Sequence, residues 1–114
     1  MILPVLPDEI RVPLDAQLGA GAAAVARPFD VLEKSRWYDA TRDEGDVASA
    51  VVAGQRQLLR LEGADVQVQA ADGTVAPFDP RNPDHVRRLP LRVVLAVGNA
   101  VIERSSLDDG TAGN

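Results

Sequence analysis

Proline placement restricts this chain more than any other feature of its sequence. Prolines at positions 4, 7, 13 and 28 share the first 28 residues with the small-residue run Gly19-Ala20-Gly21-Ala22-Ala23-Ala24. Each proline fixes φ and removes an amide donor, so no long helix can run through this region. Ile10-Arg11-Val12-Pro13-Leu14 begins by alternating apolar and polar residues, and Ala22 to Arg27 is placed to return as its partner strand. Pro13 assigns the first strand to a sheet edge, where a missing donor does little harm. Residues 1–28 therefore read as a strand or extended region.

Beyond Pro28 the signals change. Asp30, followed three residues later by Glu33, forms the signature of a capping box and predicts a helix over 30–42. Asp43-Glu44-Gly45-Asp46 breaks it and offers Asp46 as the next cap. Val47, Val51, Gly54, Leu58 and Leu61 recur at helical spacing, which predicts a second helix over 46–62 stopped by Gly63. Val66-Gln67-Val68-Gln69-Ala70 alternates, and Asp72-Gly73 supplies a turn before Thr74-Val75-Ala76-Pro77-Phe78, so 66–78 reads as a β-hairpin. A loop through Pro80 and Pro83 leads to a short helical turn capped by Asp84. Pro90 suits the first turn of a final helix over 90–106, and 108–114 reads as a flexible polar tail. The expected fold class is α+β: one mostly helical domain spanning 1–114, with a hairpin and a short N-terminal strand region.

Length, composition and charge remove the physical basis of several function classes. A length of 114 residues fits one core, and 46% hydrophobic residues can fill it. Zero cysteines exclude disulfides, thiolate metal sites and thiol nucleophiles. A net charge of −5, from 17 acidic and 12 basic residues, repels a phosphate backbone, so no nucleic acid is expected as partner. The aromatic residues Phe29, Trp37, Tyr38 and Phe78 are too scattered to make a base-stacking surface. Met1 to Pro7 lacks the basic flank and unbroken apolar core of a signal peptide, and the apolar run near 93–102 is too short to span a bilayer. A soluble cytoplasmic protein with no membrane partner is the expectation.

Each candidate site has a structural reading beside the functional one. Gly19-x-Gly21-x-x-Ala24 matches a relaxed dinucleotide fingerprint, but Pro13 and Pro28 deny it the flanking strand and helix. Asp43, Glu44 and Asp46 gather carboxylates without calcium-loop spacing and read better as helix-start residues. His85 is the sole histidine, and none of Ser35, Ser49, Ser105 and Ser106 lies in a nucleophile elbow. No catalytic residue, metal ligand, cofactor or small-molecule substrate is therefore assigned. Trp37 and Tyr38 can each be core or interface anchors.

The final helix points elsewhere. Leu91, Val94, Leu95, Gly98, Val101 and Ile102 form one apolar face, while Val93, Ala96, Val97 and Ala100 cover much of the opposite side. A helix apolar almost all round is central to its domain or is covered by another molecule. Val93, Val97, Ala100 and Trp37 are accordingly the candidate partner-binding residues, either for a protein partner or for a homo-oligomer, and Val97→Glu is expected to spare the fold.

The Arg27-Pro28-Phe29 lead-in to a Trp-bearing helix, a helix ending Leu58-Leu59-x-Leu61, the Asp72-Gly73 hairpin and Leu89-Pro90 before an apolar helix ending near Ile102-x-x-Ser105-x-Leu107 occur in this order. In that layout, over roughly residues 27–107, the chain resembles the tail assembly chaperones of long-tailed bacteriophages and gene transfer agents. The resemblance implies a non-enzymatic protein of the bacterial host cytoplasm that coats the apolar tape measure protein and helps recruit tail tube subunits. The alternative it leaves open is a virion structural protein, a head-to-tail or tail connector retained in the particle.

Overall fold

A computed structural model describes residues 1–2 and 8–105 of the chain. The expected flexible tail at 108–114 and the prolines at 4 and 7 lie outside those residues. The elements run β1 (Ile10–Pro13), α1 (Asp15–Leu18), β2 (Ala23–Ala26), α2 (Val31–Thr41), α3 (Asp46–Gln57), β3 (Leu58–Glu62), β4 (Gln67–Gln69), β5 (Val75–Pro77), α4 (Pro83–Arg87) and α5 (Leu91–Arg104). The α+β expectation holds, with most regular structure in helices.

The N-terminal region pairs as its alternation implies. β1 and β2 are antiparallel, Ile10 opposite Ala26 and Val12 opposite Ala24, and β1 forms a sheet edge that accommodates Pro13. β2 is the central strand and is buried along its whole length. Its inner face, Ala24 and Ala26, joins Ile10, Val12 and Leu14 in the main hydrophobic cluster. Its outer face is covered differently. Arg11 and Arg60 stand opposite Val25 on either side, and Arg11 bonds Glu62 at 3.1 Å while Arg60 bonds Glu62 at 2.8 Å and Glu9 at 3.0 Å. The guanidinium of Arg60, joined at Glu62 by Arg11, holds the Glu9 and Glu62 carboxyls below the usual carboxylate range. Exposed ion pairs of this kind add little stability, and Val25 and Ala23 on the strand beside them are only 3% and 1% exposed.

The helix predicted across 46–62 is shorter, because its last five residues are the strand β3. Gln57 explains the change of state. Its carbonyl accepts the Arg27 amide at 2.8 Å and its buried side-chain amide donates to the Arg27 carbonyl at 3.0 Å, so the end of α3 is tied to the chain leaving β2. Leu58 to Glu62 then hydrogen-bond to β2, whose open edge is satisfied by this pairing. Gly63 therefore ends a strand. The cap of α3 is Gly45, at φ 92°, with Asp46 inside the first turn. The α2 capping box is formed as predicted, Asp30 accepting from the Glu33 amide at 2.7 Å. The hairpin also forms, through a five-residue turn closed by Ala70 N–H to the Thr74 carbonyl at 2.7 Å. Asn82, not Asp84, caps α4.

The predicted stripe on α3 differs from the buried one. Ala50, Ala53, Gly54 and Gln57 are buried, whereas Val47 is 58% exposed. The cause is the closeness of α3 to α5. A Cβ on Gly98 would lie 1.8 Å from the Ala50 carbonyl oxygen, and one on Gly54 would lie 2.4 Å from the Val94 carbonyl oxygen. Two backbones this near admit only small residues between them, so the contact face is the Ala/Gly face. The α5 side turned to the sheet carries Val93, Val97 and Val101, which complete the cluster with Ile10, Val12 and Leu14. Phe29 N–H donates to the buried Ser105 hydroxyl at 2.9 Å, and Arg104 donates to the Arg11 carbonyl at 3.1 Å, fixing the far end of α5.

Gly98→Ala should therefore force the two helices apart. Overpacking of this kind typically costs about 1–3 kcal/mol, and thermal unfolding should show a melting temperature lower by roughly 4–8 °C per kcal/mol lost. An unchanged melting temperature would refute the close crossing.

Candidate interaction surface

The structure separates the four residues proposed for partner binding. Val93 and Val97 are 0% and 1% exposed, enclosed between the sheet and the rest of the domain. They are core, so the expectation that they face another chain is corrected. The reason is that α5 is sandwiched: α3 packs on one flank and β1 and β2 pack on the other, which encloses the valine side of the helix. Ala100 is half-buried and packs against the same cluster. Trp37 is also core. Its ring stacks on Phe29 with centroids 5.5 Å apart, and its indole N–H donates to the Ser49 carbonyl at 2.9 Å. An indole buried with its single donor satisfied anchors its own domain.

Tyr38, the neighbour of Trp37, points outward and is 58% exposed. Together with Val31 at 69% and Leu32 at 58% it gives α2 an apolar outer side, with exposed Ser35 one turn before Tyr38. Val31, Ser35 and Tyr38 follow the spacing of one helical face. Only Trp37 and Thr41 of α2 are buried. Of the two aromatic residues that the sequence offers as interface anchors, Tyr38 is the outward one; the apolar Val31 and Leu32 beside it carry no sequence signal that separates exposed from buried.

Three interactions hold α2 in position. The Phe29–Trp37 stack fixes its inner side, and the capping box fixes its start. Arg27 grips Glu33 with both terminal guanidinium nitrogens, Nη1 donating to Oε1 at 2.8 Å and Nη2 to Oε2. This charge-assisted fork pulls the Glu33 carboxyl down to about 2, against a smaller opposing effect of burial and with help from the Asp30 amide.

The remaining candidate residues have structural occupations. Gly21 N–H donates to Asp15 Oδ1 at 2.8 Å and the chain continues into β2, so the glycine pattern precedes a strand where a pyrophosphate site requires a helix start. His85 Nδ1 accepts the Asp79 amide at 3.0 Å and closes the loop before α4. Ser49 shares its hydroxyl proton between the carbonyls of Thr41 and Gly45, and Ser105 is the buried acceptor at Phe29. Ser35 is exposed on α2, and Ser106 lies outside the described residues. Asp43 and Glu44, in the loop between α2 and α3, and Asp46, in the first turn of α3, are exposed, and no group of three metal-ligating side chains converges among the described residues. No helix among those residues is long and apolar enough to cross a membrane. Comparison with protein-family models, curated proteins and solved structures finds no match to this chain.

Two outcomes follow from the burial and charge of these residues. Val97→Glu should unfold or severely destabilise the monomer, by roughly 4 kcal/mol or more, because it puts an unpaired charge in the core; a folded, soluble variant by circular dichroism would contradict this. Glu33→Gln retains the capping geometry but loses the ion pair, at about 0.5–1 kcal/mol for a partly exposed site. A carboxyl whose folded value is depressed stabilises above its ordinary 4.5 and loses that contribution as pH falls toward about 2. The stability gap between parent and variant in urea titrations should therefore shrink over that window, and a pH-independent gap would rule out the charge as its source.

Proposed function

We propose that this chain is a non-enzymatic tail assembly chaperone, acting in the bacterial host cytoplasm to hold the apolar tape measure protein in solution and to help recruit tail tube subunits. The observation that carries the reading is the outer side of α2, where Val31, Leu32 and Tyr38 are all more than half exposed beside a fully built core. Apolar side chains of this size gain free energy when another apolar surface covers them, and aromatic and aliphatic anchors on a rigid helix suit the capture of an amphipathic helix. The capping box, the Arg27 fork and the buried Trp37 make α2 rigid, which limits the ordering entropy lost on binding. The Arg27-Pro28-Phe29 entry to a Trp-bearing helix, the Asp72-Gly73 hairpin and the apolar final helix support the same assignment through their resemblance to that family, whereas Leu58 to Leu61, expected there to end a helix, is strand.

Co-expression with the tape measure protein of the same genome tests the proposal. Soluble tape measure protein should recover only when this chain is present, and a Val31→Glu, Leu32→Glu, Tyr38→Ser triple variant should remain folded but lose most of that effect. Insolubility of the tape measure protein in the presence of the wild-type chain would sink the reading. Stoichiometric retention of the chain in finished particles would instead favour a connector.

A further inference from the structure

The two ends of α3 carry opposite charge. At its start Asp43, Glu44 and Gly45 of the preceding loop and Asp46 of the first turn are exposed, and none of the three carboxylates has an ion-pair partner among the described residues. The loop is nonetheless shaped, since Glu44 N–H donates to the Thr41 carbonyl at 2.9 Å. At the other end, Arg56 of α3, Arg81 of the following loop and Arg87 of α4 rim a cleft of about 210 Å³. Pro80 and the buried Val86 contribute apolar surface to its lining. Arg87 is held by Asp84 at 2.7 Å, whereas Arg56 and Arg81 have no acidic partner among the described residues. Three guanidiniums around one cleft stand out in a chain whose net charge is −5.

Within one molecule these features cannot meet, because Asp46 and Arg56 are ten residues apart on one rigid helix, about 15 Å along its axis at 1.5 Å per residue. We infer that the arginine cleft of one molecule receives the acidic loop of a second copy, with Asp43 and Glu44 on Arg56 and Arg81. Guanidinium forks match carboxylates in geometry as well as charge, and the Pro80–Val86 surface allows the loop backbone to sit against an apolar floor. The contact is separate from the outer side of α2, so it stands or falls independently of the chaperone reading. Exposed ion pairs are individually weak, so the association belongs in the range of about 0.1–1 mM.

Sedimentation equilibrium of the full chain at such concentrations should show reversible self-association. Salt is a poor probe here, because it screens both the local attraction and the repulsion between two acidic molecules. Charge reversal is decisive. Arg56→Glu with Arg81→Glu should weaken association by about tenfold or more. Asp43→Arg with Glu44→Arg should weaken it as much, although that change brings the chain nearer neutrality and general repulsion alone would then predict tighter association. A mixture of the two folded variants should associate again, since each supplies the surface the other lacks. A wild-type chain that stays monomeric, a loop variant that associates as well as or better than wild type, or a mixture that remains monomeric would each overturn the inference. Circular dichroism of each variant confirms that loss of association is not loss of fold, and if the double variants unfold, the single variants Arg81→Glu and Glu44→Arg are compared in the same three ways.

Discussion

The approach of α3 to α5 is the contact on which the other elements depend. Gly98 against the Ala50 carbonyl, and Gly54 against that of Val94, bring two helical backbones closer than even an alanine at either position would permit. That closeness has two consequences. It hides an Ala/Gly face that alone contributes little buried apolar area, and it presses the Val93, Val97 and Val101 side of α5 onto the sheet. An interior built this way is filled by backbone proximity as much as by large side chains, which is why so few aromatic residues suffice.

The sheet answers the same demand for thinness. β2 lies between β1 and β3, and its alanines let α5 come near on the inner face. On the outer face Val25 stands in register between Arg11 and Arg60, whose charges are joined through Glu62. The edge strands carrying those charges are also protected from adding further strands.

Under the proposed function, the working parts of this scaffold are surfaces. The hydroxyls of Ser49 and Ser105 and the His85 Nδ1 have structural partners, while α2 turns Val31, Leu32 and Tyr38 outward from a firmly anchored frame. The acidic loop and the arginine cleft lie at opposite ends of α3, so the helix that organises the core also sets the separation of two complementary charges. A chain that binds an apolar partner through one side and its own copies through the other could line up several molecules along an extended target.

What the sequence determined by itself was local. The Asp30–Glu33 capping box, the proline at the edge of β1, the hairpin around Asp72-Gly73 and the final helix after Pro90 each depend on hydrogen bonds or φ restrictions within a few residues. Tertiary structure decided the rest. Leu58 to Glu62 carry helical periodicity, yet they are a strand because β2 offers an edge to satisfy and Gln57 is bound to Arg27. The apolar circumference of α5 does not reveal whether its cover comes from the same chain, and the Gly98 contact supplies the answer only once Ala50 lies against it. Spacing records which residues share a face; which face is buried depends on how closely the neighbouring backbone can come.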